Sequence, residues 1–199
     1  MSSWPVSLLA RAAAAAALTA ALAQLSVPLP FTPVPVTLQV LGVLLAALAL
    51  PPGAAALSQA VYVALGAAGL PVFAGFSAGA QVLVGPTGGY LWGFVLAAPL
   101  ASAVFRALRR PGQGPSAAVR AAAAGAAGVA VIYALGVAQL AAVLHLNWRR
   151  ALALGAGPFM PADLVKAAAA ALAAPYIERA FTAPGARRAA SPQAPGRPA

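Results

Sequence analysis

The sequence predicts an all-α integral membrane protein with six transmembrane helices and both termini on the cytoplasmic side. Three observations carry that expectation. Apolar residues make up 62% of the 199 positions and charged residues only 7%, with a mean hydropathy of +0.89. A soluble domain carries about 25% charge, so this surface is unsuited to water. The apolar residues fall into six runs separated by proline, glycine and arginine clusters; a helix crossing ~30 Å of hydrocarbon needs about 20 residues, so the length suits roughly five to seven spans. The third observation is that the basic residues divide unevenly between the connections, as topology by charge requires.

The first run, Leu8 to Leu25, is rich in alanine. Ala13, Ala17 and Ala21 recur every four residues and form a smooth strip, which lets another helix approach closely. Internal packing and a partner subunit explain that strip equally well. A cleaved signal peptide, with Arg11 as its basic region and Ala21-Leu22-Ala23 as its cleavage site, is the lesser reading, because multispan proteins rarely need one. Pro28, Pro30, Pro33 and Pro35 follow, four prolines within eight residues. Proline lacks an N–H and pushes its predecessor to extended backbone, so a stiff loop is expected.

Thr37 to Leu50 is the second span, with Gln39 near its entry, and Pro51-Pro52-Gly53 ends it. Ala54 to Leu70 is the third, carrying Ser58, Gln59 and Tyr62. The stretch from Pro71 to Gly89 holds five glycines with Phe73, Phe76 and Ser77 and is neither a helix nor a charged solvent loop. Irregular backbone at membrane depth is tolerated where it is buried in protein or lines a cavity. No Gly-Lys-Ser/Thr follows, so it is not a phosphate-binding P-loop. Gly89 to Phe105 is the fourth span, with an interruption expected at Pro99.

Arg106 to Arg120 reads as a polar connector, and Ala121 to Leu144 as the fifth span, with Tyr133 and Gln139 inside it. His145 to Arg150 forms an interfacial collar with Trp148 at headgroup level. The sixth span starts at Pro161 and continues past Pro175 towards Glu178-Arg179. The Pro/Ala/Arg-rich tail, residues 183–199, reads as disordered and cytoplasmic by composition, leaving residues 1–182 as one transmembrane domain.

With six spans, Arg11, Arg106, Arg109, Arg110, Arg120, Arg179, Arg187, Arg188 and Arg197 fall on the cytoplasmic side. Only Arg149, Arg150 and Lys166 remain outside, so nine of the twelve basic residues lie inside; an odd number of spans destroys this bias. The proline loop, the glycine-rich loop and the connector ending in Pro161 therefore share the outer side.

Only two acidic residues occur in the chain, Asp163 and Glu178. Asp163 and Lys166 stand three apart, on one face of the last helix. An ionisable group inside a membrane is costly and marks a functional site by default, although a carboxylate near a helix start also serves as a cap and a lysine near a helix end also snorkels. Beside two irregular loops, the pair reads as a small polar site under an outer lid, suited to a small amphiphilic carboxylate. Lys166 meets the anion and Asp163 accepts N–H donors, while Phe31, Phe73, Phe76, Tyr90 and Trp92 are candidate apolar walls. For any one of these aromatics, lipid-facing or interhelical packing is the commoner role. Enzymatic chemistry has little support: His145 is lone, and no nucleophile with a base at readable spacing is present. With no cysteine, one histidine and two acids, no metal cluster is expected. The scattered basic residues make no face for nucleic acid.

Four motifs, in order, resemble the BioY family: Pro33-Val34-Pro35-Val36-Thr37-Leu38-Gln39, Gly69-Leu70-Pro71-Val72-Phe73-Ala74-Gly75, Gly85 to Phe94, and Pro161-Ala162-Asp163-Leu164-Val165-Lys166. These are biotin-binding S components of energy-coupling-factor transporters, and the resemblance runs from about Ala10 to Ile177. It implies an S-component-like fold of six membrane helices in the cell membrane and capture of biotin from the outer side. It implies no cofactor and no catalysis. ATP-driven import then falls to a transmembrane coupling subunit and two ATPase subunits, contacted through the alanine strip Ala13, Ala17 and Ala21. Asp163 and Lys166 map onto pocket residues of the family, and Ser77, Tyr90, Gln39 and Phe73 are further candidates. Some relatives carry an asparagine near Ser77 and an arginine near Leu91; this chain does not, so the ligand's polar ends are held differently. A solitary facilitator, an S component for another small vitamin, and more remotely a membrane scaffold or sensor without transport remain alternative expectations.

Overall fold

The computed structural model describes residues 4–109 and 114–182. The tail from 183 onward and Arg110 lie outside the described residues, so the expectations placed on them are not addressed structurally. The chain forms α1 (Val6–Ala23), the strands β1 (Ser26–Leu29) and β2 (Thr32–Thr37), α2 (Gln39–Ala49) and α3 (Pro52–Ala67). A single 3-10 turn (Ala74–Phe76) and a short α4 (Gln81–Val84) follow, then α5 (Gly88–Ala107), α6 (Ala117–Val143), α7 (Trp148–Gly155) and α8 (Met160–Thr182). The helices α1, α2, α3, α5, α6 and α8 correspond to the six expected spans. Three of them, α1, α5 and α6, are long and apolar enough to cross a bilayer by length and composition. α2 has only 11 residues and is largely a core helix, with Val43 and Ala47 fully buried.

α6 packs against α5 and against α8, α3 against α1 and α5, and α2 against α1, α5 and α8. The α5–α6 contact is close because small residues form it. A side chain at Gly89 would run into the Leu135 carbonyl of α6, so the two backbones approach only with glycine there, as small-residue interfaces in membranes allow. Pro99 does not interrupt α5, which runs unbroken through it. Ala97, Ala98 and Ala101 are buried around it, and packing neighbours let membrane helices absorb a proline.

Two departures concern the connections. The proline-rich segment is a paired hairpin: β1 and β2 run antiparallel with Ser26 opposite Thr37 and Val27 opposite Val36. Extended backbone follows from the prolines. The pairing succeeds because a two-stranded sheet has free outer edges, where a missing N–H costs nothing. The second departure is Arg120. It belongs to α6 rather than to a solvated connector, is only 6% exposed, and pairs with Glu178 of α8 at 2.7 Å. Its guanidinium lies 4.9 Å from the centre of the Phe105 ring of α5.

The charge asymmetry agrees with the placement of these elements. Arg106, Arg109, Arg120 and Arg179 sit at the ends of α5, α6 and α8 remote from the hairpin. The hairpin, the glycine-rich loop and α7 are bonded together at the opposite end. Thr32 donates its hydroxyl to the Leu154 carbonyl at 2.9 Å, Gln139 of α6 donates to the carbonyls of Leu83 and Gly85, and Tyr90 donates to the Gly155 carbonyl at 2.7 Å. The three irregular stretches thus gather at one end, the one charge assigns to the outside.

Candidate functional site

Under these loops lies a cavity of about 220 Å³. Each part of its wall has a local cause. α2 begins at Gln39 because Thr37, at the end of β2, accepts the Gln39 N–H on its hydroxyl. This turns the Gln39 side chain inward, where it donates to the Tyr62 hydroxyl at 2.6 Å. Phe73 is buried in a slot on α3 at Gly66, where any side chain would occupy the ring's place. It meets Tyr62 edge-on with ring centres 5.6 Å apart. Tyr90 rises from the first turn of α5 and meets Tyr133 of α6 edge-on at 6.4 Å.

The polar centre is on α8. The Asp163 N–H bonds to the Phe159 carbonyl at 2.9 Å, so Asp163 already lies within the helix's first turn. Its carboxylate is taken by side chains: Tyr133 donates to Oδ2 and Lys166 donates to Oδ1, each at 2.5 Å. Asp163 and Lys166 are 5% and 7% exposed. A phenol, a carboxylate and an ammonium from two helices therefore form one buried, net-neutral cluster at the cavity wall. Lys166 keeps two further N–H donors and the carboxylate keeps lone pairs, so the cluster offers both donors and acceptors to one ligand group.

All six candidate residues line this cavity: Gln39, Phe73, Ser77, Tyr90, Asp163 and Lys166. Phe31, Phe76 and Trp92 are not among its lining residues and are exposed on the surface of the chain; their candidacy as walls is corrected. Their places are taken by Val34 and Val36 of the hairpin, Phe94 of α5, Ile132 of α6 and Phe159 before α8. Tyr133 was readable as a polar residue in the fifth span but not as part of the site. Its bond to Asp163 spans 30 positions, and no local pattern announces such a contact. His145 is exposed, as its neighbours suggested. Among the described residues, no group of acids, histidines or cysteines could hold a metal ion.

Residues 1–183 match the BioY family. A relative from Thermotoga maritima, named "Biotin transporter BioY", is 45% identical over 77% of this chain and 86% of its own length. One from Pyrococcus horikoshii, named "Probable biotin transporter BioY", is 41% identical over 81% of this chain and 90% of its own. This chain belongs to the BioY family. A BioY chain is a multi-pass membrane protein of a transporter family and not an enzyme. The fold has a solved counterpart, described as the S-component for biotin from an ECF-type ABC transporter, with a TM-score of 0.78. It is 24% identical and aligns over 87% of this chain and 92% of its own. The family that the four motifs pointed to is the one the whole chain matches.

Proposed function

We propose that this BioY chain is the substrate-binding membrane subunit of a biotin uptake transporter in the cell membrane. On this reading it takes biotin from the outer side into the cavity under the hairpin and glycine-rich loop. The observation that carries the reading is the buried Tyr133–Asp163–Lys166 cluster, built on the family's last motif and set in an otherwise mostly apolar cavity. The ureido group of biotin has two N–H donors and one carbonyl acceptor, matched by a carboxylate and an ammonium. The thiolane ring and aliphatic chain suit Val34, Val40, Phe73, Phe94 and Ile132. Discrimination follows because a ligand lacking either polar partner leaves a buried group unpaired, at a cost of about 1–3 kcal/mol.

Import against a gradient is the work of other chains on this reading: a transmembrane coupling subunit and two ATPases. The alanine strip supports a partner role. Ala13, Ala17 and Ala21 are all exposed on α1, whereas Ala12, Ala16, Thr19 and Ala23 make its internal contacts. Residues 1–182 act here as one unit. The test is uptake of labelled biotin by cells lacking their own transporter. Uptake is expected only when the coupling module is co-expressed with active ATPases. Equal uptake without the module would make the chain a solitary facilitator.

A further inference from the structure

The cavity roof is the segment Phe73–Ser77. Phe73, Ala74 and Ser77 face the cavity. On its other side, Ala74 and Gly75 border a second, open hollow lined by the hairpin residues Ser26, Leu29 and Thr32. Pro33, Pro35 and Ala74 line both spaces, so this turn and the edge of the hairpin are the partition between them.

The roof's conformation is unfavourable by itself. Gly75 and Phe76 both lie in the left-handed region, with φ of 63° and 59°. Glycine adopts this readily, but a phenylalanine does so at a cost. Phe76 is 68% exposed, so packing compensates little of that cost. The turn closes on itself through the Phe73 N–H to the Ser77 carbonyl at 3.0 Å, and a side chain from the end of α1 ties it to the rest of the chain. Gln24, at the end of α1, accepts the Phe76 N–H on Oε1 at 2.9 Å. Its Nε2 donates to the Phe73 carbonyl at 3.3 Å and back to the Ala20 carbonyl of α1 at 3.0 Å. One amide thus ties both ends of the strained turn to α1, one helical turn beyond Ala21 of the exposed strip.

We propose that Gln24 is a positioning residue that holds the Phe73–Ser77 turn against the cavity and ties it to α1. The consequence is twofold. The held turn slows ligand escape, and anything that shifts the end of α1 acts directly on this part of the cavity wall. The statement about ligand rests on the biotin reading above; the statement about the roof does not.

The experiment has a ligand-free arm and a ligand arm, both on the purified full chain. In the first, hydrogen exchange is followed at the amides of Phe73, Ser77 and Gly79, which bond to Ser77, Ala74 and Gly66 and not to Gln24. Losing two hydrogen bonds and releasing a left-handed residue is expected to speed their exchange about tenfold or more in Gln24→Leu, with α5 and α6 unchanged. Adding Phe76→Gly, which removes the backbone cost, is expected to restore their protection. Exchange within about twofold of the parent chain in Gln24→Leu overturns the clamp, as does failure of Phe76→Gly to rescue it. In the second arm, biotin dissociates about tenfold faster from Gln24→Leu while its association rate changes little, whereas general destabilisation lowers the binding-competent fraction and leaves dissociation from the folded chain unchanged. If the parent chain binds no biotin, the functional reading falls and the exchange arm still decides the clamp.

Discussion

Two ion pairs stand at opposite ends of α8, one shared with α6 and one within α8 itself, and they differ in what surrounds them. At the end remote from the hairpin Arg120 meets Glu178 at 2.7 Å, with side chains 7% and 23% exposed. At the hairpin end Lys166 meets Asp163 at 2.5 Å, with side chains 8% and 7% exposed. The distances are similar, and Glu178 is the more exposed of the two acids. Yet the Arg120 guanidinium lies over the Phe105 ring and lines neither of the two cavities above, so its contacts fasten α5, α6 and α8 together. Asp163 and Lys166 stand in the wall of a cavity, with Tyr133 orienting the carboxylate. A buried charge is therefore not a site in itself; a buried charge with unused hydrogen-bonding capacity beside empty apolar space is.

If that distinction holds, the two pairs respond oppositely to substitution. The largest effect is expected for Lys166→Ala, which leaves Asp163 without its cation in the cavity. Biotin affinity should fall by roughly 2–5 kcal/mol, at least about thirtyfold and several hundredfold in the middle of that range, in a binding titration. Glu178→Gln is expected to do the reverse. Thermal unfolding should show a loss of about 1–3 kcal/mol, below the full figure for a buried pair because Glu178 is partly exposed, while affinity stays unchanged. A hundredfold loss of affinity in Glu178→Gln would erase the distinction. Smaller again is Tyr133→Phe, which removes one donor to Asp163 and keeps the ring. It should weaken biotin by about 1 kcal/mol, roughly fivefold, in the same titration. No change there would mean that Lys166 alone orients the carboxylate.

Sequence and structure agree most where the physics is additive along the chain. Hydropathy runs and the division of arginines needed no knowledge of contacts, and they placed the spans and the end where the irregular loops meet. Asp163 and Lys166 were legible because two charges three residues apart on an apolar helix conflict with their surroundings. What stayed illegible depends on pairing across distance. The hairpin needed Val27 to find Val36, while prolines predicted only extended backbone. Arg120 looked like part of a charged connector because its partner, Glu178, lies 58 residues away. Phe31, Phe76 and Trp92 show the converse error: proximity to the site in sequence says nothing about which way a ring points.

Whether the Asp163–Lys166 pair belongs to a ligand site is decided by titrating the purified chain with biotin. Saturable binding is expected at one site per chain, competed by desthiobiotin, which keeps the ureido group, and not by an unrelated vitamin. A folded, monodisperse preparation that shows no saturable binding of biotin would contradict that assignment.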